Sequence, residues 1–576
     1  MRKYIKPIPF ILSAVMLLSA INAHAYDFYT VFDGDTIYYN ITNNTDMPYT
    51  VEVTHDGNHN TTSYQGGIVI PSTVTYNGVS YIVTRIGDNA LNNCRNMTSI
   101  SIPNTVTSFG NGAFAGCISL THITIPNTVT SIDIAAFSSC ISLTSLEIPS
   151  SVINLHEFAI DGCSNMTMIV VDTNNTVYAD INGVLFNKAL TTLLRCPEGK
   201  SGTYTIPSST AIIKRYAFDG CSRLTSIVFP DTPITIHDGA FRNCTGLTLF
   251  TLPNTVQLLG NPFHGCTGLT GINLENGNTN YRVNNGVLFN ITGTTLICYP
   301  AGRQGSYTIP NTVTTIGTSA FSGCTGLTSV SIPNSVTIVG AGAFFNCFNL
   351  VSAVLPNSLT GIGNSAFANC YSILSINIPN GIRRLEYGTI NNCNSLTSVT
   401  LSNTLTTLEG RNIYACQSLQ KITIPASVTS IGYSCISWCQ SLDTIVFEST
   451  TPPPFDSECF FNVPRSTVVV VPCGCGPAYR NALSQWFYNF VEDCSPSSIA
   501  ETESPSQLKL YPNPASSTVT IEGLEENSSI LIVNALGSVV KHIENIGQKA
   551  TISVGHLPKG LYFVRTNGAM RKLVVE

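Results

Sequence analysis

Charge is what this sequence has least of: only 10% of its 576 residues are Asp, Glu, Lys or Arg. With 27 Lys and Arg against 33 Asp and Glu, the formal net charge is −6. Beyond the N-terminus no run of Lys or Arg exceeds a pair. A nucleic-acid surface needs clustered cations to release counterions, so that class of partner is excluded. Long apolar runs are also missing. The longest, Ile8 to Ile21, is about 14 residues, short of the roughly 20 that cross a bilayer as a helix. No transmembrane segment is therefore expected in the mature chain. Catalytic text is absent too: there is no G-x-S-x-G, Walker loop, H-E-x-x-H or G-x-G-x-x-G. The nine histidines are scattered through unrelated positions. No enzyme, cofactor or metal site is expected, although a triad assembled from distant segments would leave no motif. What the chain does have is 43% hydrophobic residues, ample for a core and incompatible with wholesale disorder.

Arg2, Lys3 and Lys6 precede the apolar run, and Ala23-His24-Ala25 supplies the small-x-small pattern that a signal peptidase cleaves. Residues 1–25 read as an export signal with Ala23 and Ala25 as the cleavage-site residues. The mature chain then begins near Tyr26, with no Cys there to carry a lipid anchor. An exported chain can hold disulfides, so its 20 cysteines need an explanation.

Self-comparison supplies it. Cysteines fall at Cys94, Cys117, Cys140, Cys163, then Cys221, Cys244, Cys266, then Cys324, Cys347, Cys370, Cys393, Cys416 and Cys439, mostly 23 apart. Leu or Met stands three residues after each, with Ile373 once, followed by apolar residues three and five further on, as in Leu120, Ile123 and Ile125. A Pro usually comes next, from Pro103 to Pro425, with Ser402 in its place once. Two steps are 58 residues long and contain matching inserts: Asn182-Gly183-Val184-Leu185-Phe186 returns 103 residues later as Asn285-Gly286-Val287-Leu288-Phe289. A larger unit was duplicated after the small repeat existed.

The L-x-x-I-x-I text alternates with period two and reads as a short strand, which the Pro ends because it cannot donate to a ladder. One strand per 23 residues cannot stand alone. Stacking copies in parallel buries the Leu and Ile positions, together with V-x-x-I/F positions such as Val106 and Phe109, in one continuous core. The A-F-x-x-C segment, as in Ala113-Phe114 to Cys117, is too short for more than one helical turn. A mainly β, curved solenoid of about thirteen repeats is expected, with strands on one face and turns on the other.

The spacing L-x-x-I-x-I-P-x-x-V-x-x-I-G-x-x-A-F-x-x-C resembles the leucine-rich repeat of BspA-like surface proteins over residues 67–447. Residues 26–66, with Tyr26-Asp27-Phe28 and Tyr38-Tyr39-Asn40-Ile41, resemble that family's opening cap of β-hairpins. Residues 448–494, with Pro452-Pro453-Pro454, Val471-Pro472, Tyr479 and Trp486, resemble its closing cap. The chain departs from the pattern at Ser402 and where Cys244 and Cys266 are 22 apart. Distorted coils are expected there.

Residues 495–507, rich in Ser, Pro and Glu, read as a linker. Residues 508–576 then carry several short strands, which suggests a small β-sandwich. Tyr511-Pro512-Asn513-Pro514, the Gly560 and Tyr562 strand and the basic Arg571-Lys572 finish resemble the C-terminal sorting domain of type IX secretion substrates. That resemblance implies the type IX machinery as a partner, passage across the outer membrane, removal of the module and attachment of the remainder to the cell surface.

Neighbouring strands would set the ladder cysteines about 5 Å apart, yet their side chains are in register, so buried free thiols acting as small core residues are expected. No His accompanies them as a zinc site would require. Cys196 and Cys298, offset by 102 in units offset by 103, are not equivalent. In the closing cap, a disulfide from Cys473 or Cys475 to Cys494 would tie the ends together, with a Cys-only metal site as the lesser alternative. His55 and His59 lie in a Gly/Asn turn, and Asp33-Gly34-Asp35 reads as a hairpin turn rather than a cation loop.

The outward strand positions form a hydroxyl-rich, nearly uncharged candidate binding face that includes Thr144, Ser145, Thr225, Ser226, Thr328 and Ser329. The plainer reading is that Thr suits strands and keeps an exposed sheet soluble. Charges gather around Arg383, Arg384, Glu386, Glu409 and Arg411, a second candidate contact site. The resemblance implies an extracellular, surface-attached protein that adheres to a protein or glycan. A passive spacer without a ligand is the competing expectation, and a secreted hydrolase lacks any supporting motif.

Overall fold

The computed structural model describes residues 26–57, 64–456, 458–494, 509–522, 528–534, 539–547, 549–566 and 570–576. The expected signal with Ala23 and Ala25, His59, and the expected linker 495–507 lie outside the described residues. The chain divides into two compact units, residues 1–493 and 494–576.

In the first unit most coils run through two parallel ladders, not one, although residues 120–126 carry the same alternating text and form no strand. The alternating text forms the longer rungs: Ser145–Ile148 pairs with Met168–Val171, and Leu327–Ser331 with Ser352–Val354. Buried and exposed residues alternate along them, as period two requires. At the Pro corner the chain turns, with the Val106 N–H donating to the Pro103 carbonyl at 3.1 Å. It then pairs again. Ser108–Phe109, Ser131–Ile132 and Asn154–Leu155 form a second ladder of two-residue rungs, as do Thr315–Ile316, Ile338–Val339 and Gly361–Ile362. Expecting strands on one face only was therefore incorrect. Val106 and Phe109 are buried as expected, but two residues are too few for periodicity to reveal a strand.

The A-F-x-x-C segment is a run of turns. The residue before each ladder Cys has a left-handed backbone, for example Gly116 at φ 72°, Asn346 at 60° and Asn369 at 61°. Gly and Asn adopt that conformation at least cost, which is why they dominate there. This twist turns each thiol inward. Cys140, Cys347 and Cys370 donate to the carbonyls of Phe114, Phe321 and Phe344 at 3.1, 3.1 and 3.2 Å. The Phe rings stack alongside, with Phe344 and Phe367 at 5.1 Å and 8°.

Each insert begins with an antiparallel meander, Tyr178–Ile181, Val184–Asn187 and Thr192–Arg195 in the first, turned by Asn182-Gly183 at φ 52° and 77°. Such turns favour Asn-Gly because both residues need positive φ. The third strand joins the short ladder through Ile212–Ile213, and Gly202–Thr205 rejoins the long ladder through Leu224–Val228. The second insert repeats this arrangement. A 58-residue step is thus one further coil carrying a hairpin. The buried core is not one continuous cluster. It falls into three, Phe28 to Leu185, Val184 to Cys298 and Val287 to Phe487, which adjoin at the inserts.

Phe28–Phe32, Asp35–Asn43 and Thr50–Thr54 form the opening cap, and Val79–Ile86 links it in parallel to the short ladder. Asp33 and Gly34 make its first turn at φ 51° and 91°. At the other end, Thr444–Phe447, Val468–Pro472 and Asn489–Asp493 continue the long ladder, and an unforeseen helix, Gly476–Leu483, covers the last coil. Pro477 in its first turn suits a helix start. Tyr479 is fully buried there and donates to the Ser449 carbonyl at 2.9 Å.

The second unit has two antiparallel sheets. One contains Lys509–Tyr511, Thr518–Glu522 and Lys549–Ser553, and the other Val539–Ile546, Ser528–Asn534, Gly560–Arg565 and Met570–Val575. Val519, Ile521, Ile532, Ile552 and Val564 pack into its core, giving the expected small β-sandwich.

Candidate functional site

The long ladder carries the six candidate face residues. Thr144, Ser145, Thr225 and Thr328 are exposed, while Ser226 and Ser329 are half-buried. Register lines hydroxyls up across coils: Ser329 sits opposite Ser306 and Ser352, and Ser226 opposite Thr203, with their hydroxyls 2.7 Å apart. Many hydroxyls are already engaged. Thr167, Thr270 and Thr397 donate to the main-chain carbonyls of Thr144, Thr248 and Leu374 in the coil before. The face is also less uniformly polar than expected, because Met168, Leu249, Val354 and Leu374 are exposed along it.

In the second candidate patch, Arg384 pairs with Glu409 at 2.6 Å and Glu386 at 3.3 Å, and Arg411 lies over the Tyr414 ring at 5.4 Å. Arg384 thus bridges both carboxylates, while the Nε of Arg411 is buried without a hydrogen-bond partner. The ladder thiols are free and buried. Burial drives Cys244, Cys324 and Cys370 well above the ordinary thiol range and Cys393 up to about 12, so they stay protonated. Cys473 and Cys494 are disulfide-bonded, and Cys475 is a half-buried free thiol. Glu492 lies beside that pair and accepts from the Gly474 and Gly476 N–H groups at 2.7 and 3.1 Å. With both sulfurs bonded, the group is a poor metal cage. The His55 ring nitrogen accepts from the Gly57 N–H at 3.1 Å, as in a turn.

The residues of Tyr511 to Pro514 are held to the sandwich's last strand. The Asn513 amide donates to the Lys572 carbonyl at 2.7 Å and accepts from the Val574 N–H at 2.8 Å. Tyr562 is buried and donates to the Pro558 carbonyl at 2.8 Å. Gly560 opens the strand that carries it.

Sequence reasoning missed a charged row on the turn face. Arg195, only 3% exposed, contacts Asp161 and Glu198 at 2.9 Å each and donates to the Tyr216 carbonyl at 3.0 Å. Burial pushes the Glu198 carboxyl upward against the pull of Arg195 and the Gly162 N–H. Further along, Asp219 is buried and pairs bidentately with Arg242. Arg215 and Arg242 both lie over the Tyr216 ring, at 4.7 and 4.5 Å. Asp238 meets His264 at 3.1 Å and Arg215 at 3.6 Å. Of these, Arg215, Tyr216, Asp238, Arg242 and His264 line one side of a 410 Å³ cleft, with Ser319, Ser322, Gly342, Phe345 and Asn346 opposite. Arg215 and Asp238 stand six residues before their Cys, and Asp219, Arg242 and His264 two before theirs, so reading the charges in the register of the 23-residue repeat could have flagged them.

Residues 84–193, 198–299, 298–410 and 362–486 match the family described as BspA type Leucine rich repeat region, in six copies. Residues 509–576 match the Secretion system C-terminal sorting domain. Among solved structures, a leucine rich cell surface protein from Faecalibacterium prausnitzii A2-165 is 27% identical, with 73% of this chain and 94% of that one covered and a TM-score of 0.37. A leucine-rich repeat protein from Bacteroides ovatus ATCC 8483 is 26% identical, with 81% and 100% covered and a TM-score of 0.33. Beta-agarase A of Zobellia galactanivorans is 42% identical over 69 residues, which are 12% of this chain and 13% of that protein.

Proposed function

The chain belongs to the BspA type leucine rich repeat family, and from that premise we propose that it is an exported, surface-attached protein that binds an extracellular protein or glycan. The observation that carries this reading is a coiled domain about 400 residues long joined to a sorting domain. The sorting domain supplies the address: type IX export, release of residues 508–576 and attachment of the remainder outside the cell. The stacked coils supply area for recognition. No helix among the described residues is long and apolar enough to cross a membrane. The protein acts by binding, without catalysis.

The exposed side of the long ladder supports contact with a partner because hydroxyls there alternate with exposed Met168, Leu249, Val354 and Leu374. Immobilised extracellular-matrix proteins and a glycan array, probed with the secreted chain, test the reading. Saturable binding that weakens at least about tenfold when Thr225, Ser226, Thr328 and Ser329 are changed to Lys is expected, a loss of about 1.4 kcal/mol. A chain that binds none of these surfaces would be a spacer.

A further inference from the structure

One of the coils that border the cleft on the turn face is a residue short. A regular coil reads G-x-x-A-F-x-x-C, as in Gly340 to Cys347, whereas Gly260-Asn261-Pro262-Phe263-His264-Gly265-Cys266 is one residue shorter. The lost position is the outer left-handed residue that neighbouring coils keep, for example Gly239 at φ 65° and Gly342 at 57°. Asn261 fills the gap from within, buried and donating to the Ser319 carbonyl at 2.7 Å across the 58-residue step. The short coil contributes His264 and Gly265 to the cleft, which is otherwise lined by the full coils on either side.

The two sides of this cleft are the same positions of the duplicated unit. Arg215, Tyr216, Asp238 and Arg242 on one side become Thr318, Ser319, Ala341 and Phe345 on the other, 103 residues later. Duplication placed the copies face to face, and divergence made one side charged and the other small, neutral and aromatic. Arg215 is half exposed, lies over the Tyr216 ring at 4.7 Å and reaches Asp238 at 3.6 Å, which leaves its guanidinium edge facing the cleft.

We propose that this cleft is a glycan subsite that takes one sugar ring, with Arg215 and Asp238 pairing with its hydroxyls and Phe345 facing its C–H surface. The inference rests on the adhesion reading and gives it a location off the strand face. A cleft of 410 Å³ lies within the range of small-ligand sites. A guanidinium donor beside a carboxylate acceptor suits a ligand whose every hydroxyl both donates and accepts. A simple anion would instead meet the Asp238 charge. The small residues on the far side allow close approach of a ring to the backbone.

Titration calorimetry of the full secreted chain with glucose, galactose, mannose, N-acetylglucosamine, glucuronic acid and sodium acetate tests this. We expect saturable binding of at least one neutral sugar at about millimolar Kd, as a single-ring contact predicts. Arg215→Ala and Asp238→Ala should each weaken it about tenfold. A Gly inserted between Asn261 and Pro262 should abolish it by restoring the full coil, with melting temperature checked for every variant. Binding of acetate and glucuronate without any neutral sugar, unchanged binding in folded variants, or no binding at all overturns the subsite. If the cleft variants still adhere to matrix or glycan surfaces as the unaltered chain does, the subsite falls and the adhesion reading stands.

Discussion

A cysteine ladder in an exported protein looks like a set of disulfides waiting to form, and the geometry of the single residue explains why it is not. Each thiol is small enough to pack in the core beside the stacked Phe rings and has one weak donor to satisfy a carbonyl of the preceding coil, as Cys370 does for Phe344. Burial also keeps it protonated, and the thiolate is the species that reacts. Alkylation with iodoacetamide at pH 8, read by intact mass, should therefore label native protein at Cys475 alone. Unfolding without reductant should expose the 18 free thiols, and reduction should add Cys473 and Cys494. Twenty labels without reductant would remove the cap disulfide, and few labels after unfolding would mean that the ladder is oxidised.

At this scale the sequence was legible wherever a side chain is large and periodic. Leu120, Ile123 and Phe114 announce their burial by type and spacing. The left-handed residue before each Cys did so only in part, because Ser139, Ala415 and Trp438 take the same positive φ, 56–60°, as the Gly and Asn that dominate there. Where Ala or Trp holds that position, stacking of the coils on both sides overrides a local cost of about 1–2 kcal/mol.

The inserts are the elements that most distinguish this chain from a plain array, and the duplication provides its own control. Arg195, Cys196 and Glu198 of the first insert stand where the second has Cys298, Tyr299 and Ala301, all buried. One copy closes its coil with an ion cluster, and the other closes the same coil with a ring. Removing one partner of a buried pair strands the other charge, whereas an apolar set of similar volume is often neutral or stabilising. Arg195→Cys alone should cost about 3–5 kcal/mol, because Glu198 would lose its cation while remaining buried. The triple change Arg195→Cys, Cys196→Tyr, Glu198→Ala should recover most of that loss. Chemical denaturation of the three proteins measures it, and a triple variant as weak as the single one would mean that the cluster positions the hairpin in a way the second insert does not share. Text repeated at an offset of 103 showed that the inserts are related. It could not show that they differ in what fills the coil, since Arg and Tyr both read as surface residues out of context.

For the whole molecule, the division of the core at the inserts decides how the coiled unit holds together. In a stacked array each coil touches only its neighbours, so stability is a sum of coil and interface contributions, and caps protect the ends. The three adjoining clusters, meeting where Leu185 gives way to Val184 and Phe186 and again where Leu288 gives way to Val287 and Phe289, set natural limits to cooperativity. Tyr479 anchors the far end, its ring 5.0 Å from Phe447 and its hydroxyl on the Ser449 carbonyl. Tyr479→Ala should cost roughly 3–5 kcal/mol, the range for removing a large buried ring. In hydrogen exchange read by mass spectrometry, that loss should fall on Lys421–Ile424, Thr444–Phe447 and Val468–Pro472 and fade toward the second insert. Amides between Thr50–Thr54 and Met168–Val171, two clusters away, should keep their protection. Loss spread evenly to that first cluster would show that the inserts transmit stability along the array, and the coiled unit would then behave as one cooperative body instead of three linked segments.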